Sequence, residues 1–208
     1  MGFADREGGK FFNIYEGKFS IRVPEGTPGA TRRENKEKKI VHEVYHDSFT
    51  GKLVGIRTKD SQQYGKSWLF DFIDGGEEWT LQLSYSNSSA KNLLKILPNA
   101  DLTKEMKVQP SQKIGDDGKK KTSLFVSQDG VTLKHAYTKD NPNGLPQMEK
   151  VTVKGQEVWD DTKQLEFLHS MVVTTIIPKF PKRETAPVAQ EALAVDGSEG
   201  GTEDENDF

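Results

Sequence analysis

The spacing of the apolar residues constrains this chain more than any other feature. Between Glu77 and Tyr85, the residues Trp79, Leu81, Leu83 and Tyr85 alternate with Thr80, Gln82 and Ser84. A period of two puts the first set on one face of a pleated strand and the second on the other, the pattern of an antiparallel sheet with one solvated side. The same rhythm recurs in residues 11–23, around Gly17, where Phe19, Ile21 and Val23 oppose Lys18, Ser20 and Arg22. Turn formers divide the remaining strand-like runs. Asp74-Gly75-Gly76 separates 64–74 from 77–85, and Gly115-Asp116-Asp117-Gly118 separates 104–109 from 120–127. Asp47-Ser48 and Gly51 separate 39–47 from 52–59, so three hairpins are expected, with 131–137 continuing the sheet.

Helical signals are few. Residues 88–97 place Leu93, Leu94 and Leu97 on one side, with Ser88 or Ser89 as the cap and Pro98 beyond the end. A last helix is expected from Asp161 or Thr162 to before Pro178, although the β-branched run Val172 to Ile177 also suits a strand. Residues 24–38 and 140–147 carry loop and turn chemistry. Short strands, one mid-chain helix and no βαβ rhythm predict a mainly β fold. The expected form is an OB-fold-like five-stranded barrel with extra hairpins, one short mid-chain helix and one C-terminal helix.

The net charge of −3 averages two unlike parts. Residues 184–208 hold eight acidic residues and no Lys or Arg, which leaves residues 1–183 at +5. With Pro187, Gly197, Gly200 and Gly201 and few large apolar groups, the 184–208 segment cannot offset its ordering entropy and is expected to be a disordered acidic tail on a single β domain. Its last residues are Glu203-Asp204-Glu205-Asn206-Asp207-Phe208. A bulky ring there gains nothing for folding, and it suits a small apolar pocket with a basic rim on another protein.

Sorting the strands by alternation gives an inner and an outer set. The inner set is Phe12, Ile14, Ile40, Val44, Val54, Ile56, Trp68, Phe70, Phe72, Trp79, Leu81, Leu83, Thr122, Leu124 and Val126. Leu53, Leu69 and Ile73 fall outside. So do Phe11, Tyr15, Lys18, Arg22, Tyr45, Arg57, Lys59 and Phe125, which are aromatic and basic together. Tyr64 and Lys66 lie beside them at a strand end, and basic loops add Arg32, Arg33 and the Lys119-Lys120-Lys121 triplet. Cations matched to a phosphate chain and rings matched to unpaired bases are what single-stranded nucleic acid requires. The bland reading is that these rings pack beneath long loops or the C-terminal helix.

His42-Glu43-Val44-Tyr45-His46 reads H-E-x-x-H, which on a helix would hold zinc with Glu43 as general base. The local sequence is β-branched and aromatic, and on a strand four residues span about 13 Å, too far for two ligands of one metal. A zinc metalloprotease is therefore the remote alternative. No phosphate-cradling Gly loop or nucleophile elbow occurs, and the Asp and Glu residues are many but scattered, which gives a two-metal nuclease no positive support. The absence of cysteine excludes disulfides and thiolate chemistry, and fits a reducing compartment. A mean hydropathy of −0.72 and no signal-like opening argue against a membrane protein.

The basic β-rich body, the solvent-face rings and the acidic tail with Asp207-Phe208 resemble the single-stranded DNA-binding proteins of bacteria and bacteriophages. The tail is closer to the phage type, because no Pro precedes the Phe. That resemblance implies an oligonucleotide-binding barrel and no catalysis, metal or cofactor, so no enzyme is expected. It also implies roles in DNA replication, recombination and repair, and a cytoplasmic site of action (the host cytoplasm for a phage protein). Replication and recombination enzymes, namely polymerase, primase-helicase and nuclease, would be recruited through Glu203, Asp204, Glu205, Asp207 and Phe208. The alternative is a β-rich interaction or phage accessory protein whose sheet face binds protein. The helix near 162–177 either docks on its own barrel or pairs two subunits in a homodimer.

Overall fold

A computed structural model describes residues 10–35, 37–115, 118, 120–153 and 155–181. Lys119 and the segment 184–208, with Glu203, Asp204, Glu205, Asp207 and Phe208, lie outside the described residues. The fold is mainly β. Ten strands form one mixed sheet: β1 (Lys10–Tyr15), β2 (Lys18–Val23), β3 (Thr31–Glu34), β4 (Ile40–His46), β5 (Phe49–Lys59), β6 (Ser67–Asp74), β7 (Glu77–Ser84), β8 (Glu105–Ile114), β9 (Lys120–Gln128) and β10 (Val131–Thr132). Their spatial order is β10-β9-β8-β5-β6-β7-β1-β2-β4-β3. A separate hairpin, β11 (Glu149–Val153) with β12 (Gln156–Asp160), precedes the second of the two α-helices among the described residues, α1 (Ser88–Ile96) and α2 (Thr162–Met171).

The sheet does not close into a barrel, so the expected five-stranded barrel is replaced by a larger open sheet. The cause is long-range pairing. β1 joins β7 in parallel, Phe11 opposite Thr80, while the far edge of β2 is taken by β4 and that of β4 by β3. The sheet is nonetheless curled. Phe12 of β1 meets Phe49 of β5 at 4.8 Å between ring centroids, and Phe49 meets Phe72 at 5.4 Å. These rings join Phe19, Phe70, Trp68, Leu81 and Leu83 in one core, which α1 covers with Leu93 and Leu94, and α2 with Leu168 and Met171. The turn between β1 and β2 reaches the β8–β9 arm by packing: Lys120 bridges Glu16 at 2.7 Å.

Local chemistry explains most of the elements. Glu16 and Gly17 have φ of 48° and 77°, and Gly75 and Gly76 have 57° and 86°, the positive pairs that two-residue hairpin turns of type I′ need. Pro110 sits inside β8 because the ladder from β5 stops at Phe49↔Val108, so its missing N–H leaves no acceptor of that strand unmet. Helix α1 is capped by Asn87, whose side chain accepts from the Ser89 N–H, rather than by a serine. The β-branched run after α2 remains helical as a π-helical turn over Val172–Ile176, and Val172 and Ile176 are buried.

Other expectations are corrected. Strands β4 and β5 are not a hairpin: β4 pairs with β2 and β3, β5 pairs with β6 and β8, and Gly51 lies within β5 opposite Met106. The loop expected over 24–38 contains β3, a short charged edge strand of the kind that discourages edge-to-edge association. Leu53 and Leu69, both expected outside, are fully buried, Leu69 although its pairing with Arg57 and Gln82 keeps it on the side away from Phe70 and Phe72. A bulge between Leu53 and Gly55 shifts the register by one residue and turns Leu53 inward in place of Val54. Ile40 is exposed because its end of β4 runs past the core. Only Val131 and Thr132 of the 131–137 stretch are strand, and β11–β12 was not foreseen.

Gly17 should be the most demanding turn position. A Cβ there would lie 2.7 Å from the backbone N of Gln112, whereas one at Gly26, also at positive φ, meets nothing within 4 Å. Gly17→Ala is expected to cost about 2–4 kcal/mol through strain and overpacking together, and Gly26→Ala about 1–2 kcal/mol through strain alone. Urea unfolding measures both; equal losses would contradict the close approach of the turn to β8.

Candidate nucleic-acid interface

Residues directly opposite each other on paired strands project to the same side of a sheet. Following the pairs from β9 to β3 therefore assigns every outer residue. Phe125 faces Gln109 and Lys121 faces Lys113 on β8; Lys107 faces Thr50 on β5. Arg57 and Lys59 face Leu69 and Ser67 on β6, which face Gln82 and Ser84 on β7. Thr80 faces Phe11 on β1, Tyr15 faces Lys18 on β2, and Arg22 and Ser20 face Glu43 and Tyr45 on β4. Arg33 on β3 faces Val41. Phe11, Tyr15, Lys18, Arg22, Arg33, Tyr45, Arg57, Lys59, Lys121 and Phe125 thus share one face, opposite to the core.

Three of the expected residues lie elsewhere. Arg32 pairs with His42 on the other face, and Lys120 is held by Glu16. Lys66 lies 4.5 Å from the centre of the Tyr85 ring, whose hydroxyl meets His169 Nδ1 of α2 at 3.0 Å, so it belongs to the helical side. In exchange, the register adds Lys52, Lys107 and Lys113 to the outer face, all exposed. Their signal was present in the alternation of β5 and β8, had those strands been sorted together with their partners.

At the β1–β2–β4 end, the face deepens into a groove of about 590 Å³ lined by Phe11, Asn13, Tyr15, Arg22, Arg33, Glu43, Tyr64 and Gln82, among others. Its floor is a polar network. Glu43, only 2% exposed, accepts from Arg33 Nε at 2.6 Å and Arg33 Nη2 at 2.7 Å, and from the Tyr45 hydroxyl at 3.0 Å. Burial alone would push the Glu43 carboxyl upward; the donors Arg33, Ser20 and Tyr45 outweigh it and hold the group below the usual carboxylate range. The hydrogen bonds to Glu43 raise Arg33 in turn. The Arg33 guanidinium also lies 4.3 Å from the Tyr15 ring centre, and Tyr15 stacks on Tyr45 with centroids 6.0 Å apart. Arg22 approaches Glu43 only to 3.9 Å and stays 65% exposed.

A loop closes one side of the groove. The Tyr64 hydroxyl donates to Glu37, which also takes Gln63 Nε2 at 3.3 Å and pairs with Lys39 at 3.0 Å. The Tyr64 hydrogen bond first, and Lys39 after it, hold the Glu37 carboxyl below its ordinary value. Phe11, Tyr15 and Tyr64 remain 48%, 38% and 64% exposed, and Phe125 is 49% exposed at the far end. The alternative that these rings pack under loops or the C-terminal helix is not what the structure shows. Mid-sheet, a second carboxylate repeats the Glu43 arrangement: Asp71 accepts from Arg57 Nε at 2.9 Å and from the Thr80 hydroxyl at 2.8 Å.

His42 and His46 lie on strand β4, so the helix required for an H-E-x-x-H zinc site is not formed there. Among the described residues, no three His, Cys, Asp or Glu residues are grouped to hold a metal ion, and no helix is long and apolar enough to cross a membrane. No protein-family model matches the chain, and no curated protein or solved structure matches it with significance.

The Glu43 network gives a pH prediction. A carboxyl held low when folded adds stability above its unfolded value, near pH 4.3, and loses it as pH falls through the folded value. Glu43→Gln should cost about 1–3 kcal/mol at neutral pH, because it weakens the partner of a half-buried guanidinium. That gap from the wild type should narrow in urea unfolding near pH 3. A gap independent of pH would show that Glu43 is not a structural anion.

Proposed function

We propose that the protein binds single-stranded DNA with little overall sequence preference, protects it during replication and recombination, and is not an enzyme. One observation carries the reading: the sheet register puts Phe11, Tyr15, Tyr45 and Phe125 on the same face, opposite to the core, as Lys18, Arg22, Lys59, Lys52, Lys107 and Lys113. Rings stack on unpaired bases whatever their identity, and cations follow the phosphates. Arg33 and Arg57 act in this reading as braces for the face rather than as phosphate contacts, since each grips a nearly buried carboxylate, whereas the Lys18–Asp47 pair is exposed and open to exchange. The curled sheet, with α1 inserted between β7 and β8, is read as an elaborated, unclosed relative of the oligonucleotide-binding barrel.

The charge division supports a role for the acidic segment. Residues 184–208 would compete for the cationic face as a phosphate mimic, and Asp207 and Phe208, with Glu203, Asp204 and Glu205, would engage polymerase, primase-helicase or nuclease partners in the cytoplasm. Were those 25 residues to behave as a flexible chain, their r.m.s. span would be about 25–30 Å. A second reading, a protein-interaction module, is favoured by Glu43 and Asp71, which neutralise two of the arginines on the face.

Fluorescence anisotropy of labelled oligo-dT separates the two. Tryptophan emission would not, because Trp68 is buried and the Trp79 indole N–H is enclosed, leaving Trp159 on the β11–β12 hairpin, 61% exposed, as the responsive ring. Binding should weaken with salt with a log–log slope of about −0.7 per phosphate contacted. Phe11→Ala or Tyr15→Ala should cost about 1–3 kcal/mol of binding each. Deleting residues 199–208 should tighten binding, most at low salt. No salt-sensitive binding of oligo-dT would favour the interaction module.

A further inference from the structure

The groove at the β1–β2–β4 end holds more than rings and cations. Several of the polar groups lining it are already occupied. Glu43 is filled by Arg33 and Tyr45, the Tyr64 hydroxyl is given to Glu37, and Asn35 Oδ1 accepts from the N–H groups of Glu37 and Lys39 at 2.9 Å each. Two amides are not. Asn13 on β1 and Gln82 on β7 line the groove, and neither side chain has a hydrogen-bond partner among the described residues. They stand side by side, one step beyond the parallel pair Phe12↔Leu81, and Gln82 is half-buried. Along β1, Asn13 lies between Phe11 and Tyr15 on the same face.

A planar amide offers donors and an acceptor in one plane, the complement of a nucleobase edge, and single strands leave that edge free to be read. The groove volume of about 590 Å³ falls in the range that encloses small ligands. Asn13 is exposed and the Gln82 amide is open to water in the free protein. A base edge that replaces that water and pairs with both amides is discriminated from one that displaces the water and leaves them unpaired. Stacking alone would need neither amide.

We infer that Asn13 and Gln82 form a base-reading pocket, in which one nucleotide of a bound single strand is held by hydrogen bonds to its base edge while Phe11 and Tyr15 stack beside it. The inference rests on the proposed nucleic-acid reading and adds to it a preference at one position of an otherwise indifferent strand. It also distinguishes two classes of outer-face residue: Lys and Arg, which act on every sequence alike, and the two amides, which do not.

The test measures anisotropy binding of dA, dC and dT homopolymers of equal length to the full chain, to Asn13→Ala/Gln82→Ala and to Gln82→Glu. The wild type should separate tightest from weakest by about 5- to 150-fold, the discrimination expected of a bidentate base contact. The double alanine variant should compress that ratio toward one while keeping the salt slope and the thermal midpoint. Gln82→Glu, which replaces a donor by an acceptor at constant shape, should reorder the three homopolymers; its added charge lowers all three alike and cancels in the ratio. Binding with equal affinity for all three, or a ratio unchanged in both variants, overturns the pocket and leaves the single-strand reading standing. Binding to none of them overturns the reading and the pocket together.

Discussion

The pleat of the sheet is the constraint from which the rest follows. Side chains alternate, and the core claims one face completely: Phe12, Phe19, Phe49, Phe70 and Phe72 meet across the curl of the sheet. That cluster fixes the register of β1 against β2 and β7. A slip of one residue would bury Phe11 and Tyr15 and expose Phe12 and Ile14. The content of the outer face is therefore not an independent property. Once the inner face is fixed, rings and cations of the opposite parity have nowhere else to go, and the ten strands gather them from segments more than one hundred residues apart.

What the outer face does with its charges is less obvious. Two of its carboxylates, Glu43 and Asp71, are nearly buried, and each is gripped by one arginine. A buried charge is tolerated only when paired and hydrogen-bonded, and both meet that condition through additional hydroxyl donors from Tyr45 and Thr80. Arg33, fixed by Glu43, lies over Tyr15, which stacks in turn on Tyr45. The result is a ring held in place before any ligand arrives, so less side-chain entropy is lost on binding. Arg22, by contrast, is long, exposed and lightly held, and Lys18 pairs at the surface with Asp47 at 3.1 Å.

Much of this was legible in the sequence because it depends on period two. The alternation through Phe11-Phe12-Asn13-Ile14-Tyr15 and through Lys121-Thr122-Ser123-Leu124-Phe125 sorted both faces of those strands, and the Gly75-Gly76 turn announced its hairpin. What depended on partners far along the chain was not legible. Nothing local tells that β4 turns away from β5 to lie beside β2, or that β1 joins β7 in parallel, and so the extent of the sheet and its failure to close were missed. The bulge at Gly55 inverted Leu53 and Val54 without a sequence signal strong enough to override simple alternation. β3 was hidden by its charge, since Thr31-Arg32-Arg33-Glu34 has no apolar rhythm. The pairing of Arg33 with Glu43, ten residues apart on neighbouring strands, required the register before it could be read.

Residue-resolved contact mapping tests the central claim most directly. On addition of unlabelled oligo-dT to ¹⁵N-labelled protein at low salt, the account predicts amide shift changes concentrated in β1, β2, β4 and β7 around Phe11, Asn13, Tyr15, Arg22 and Gln82, extending toward Phe125 and reversed by salt. Changes confined to the 133–147 segment, α2 or the β11–β12 hairpin, with the sheet face silent, would contradict it.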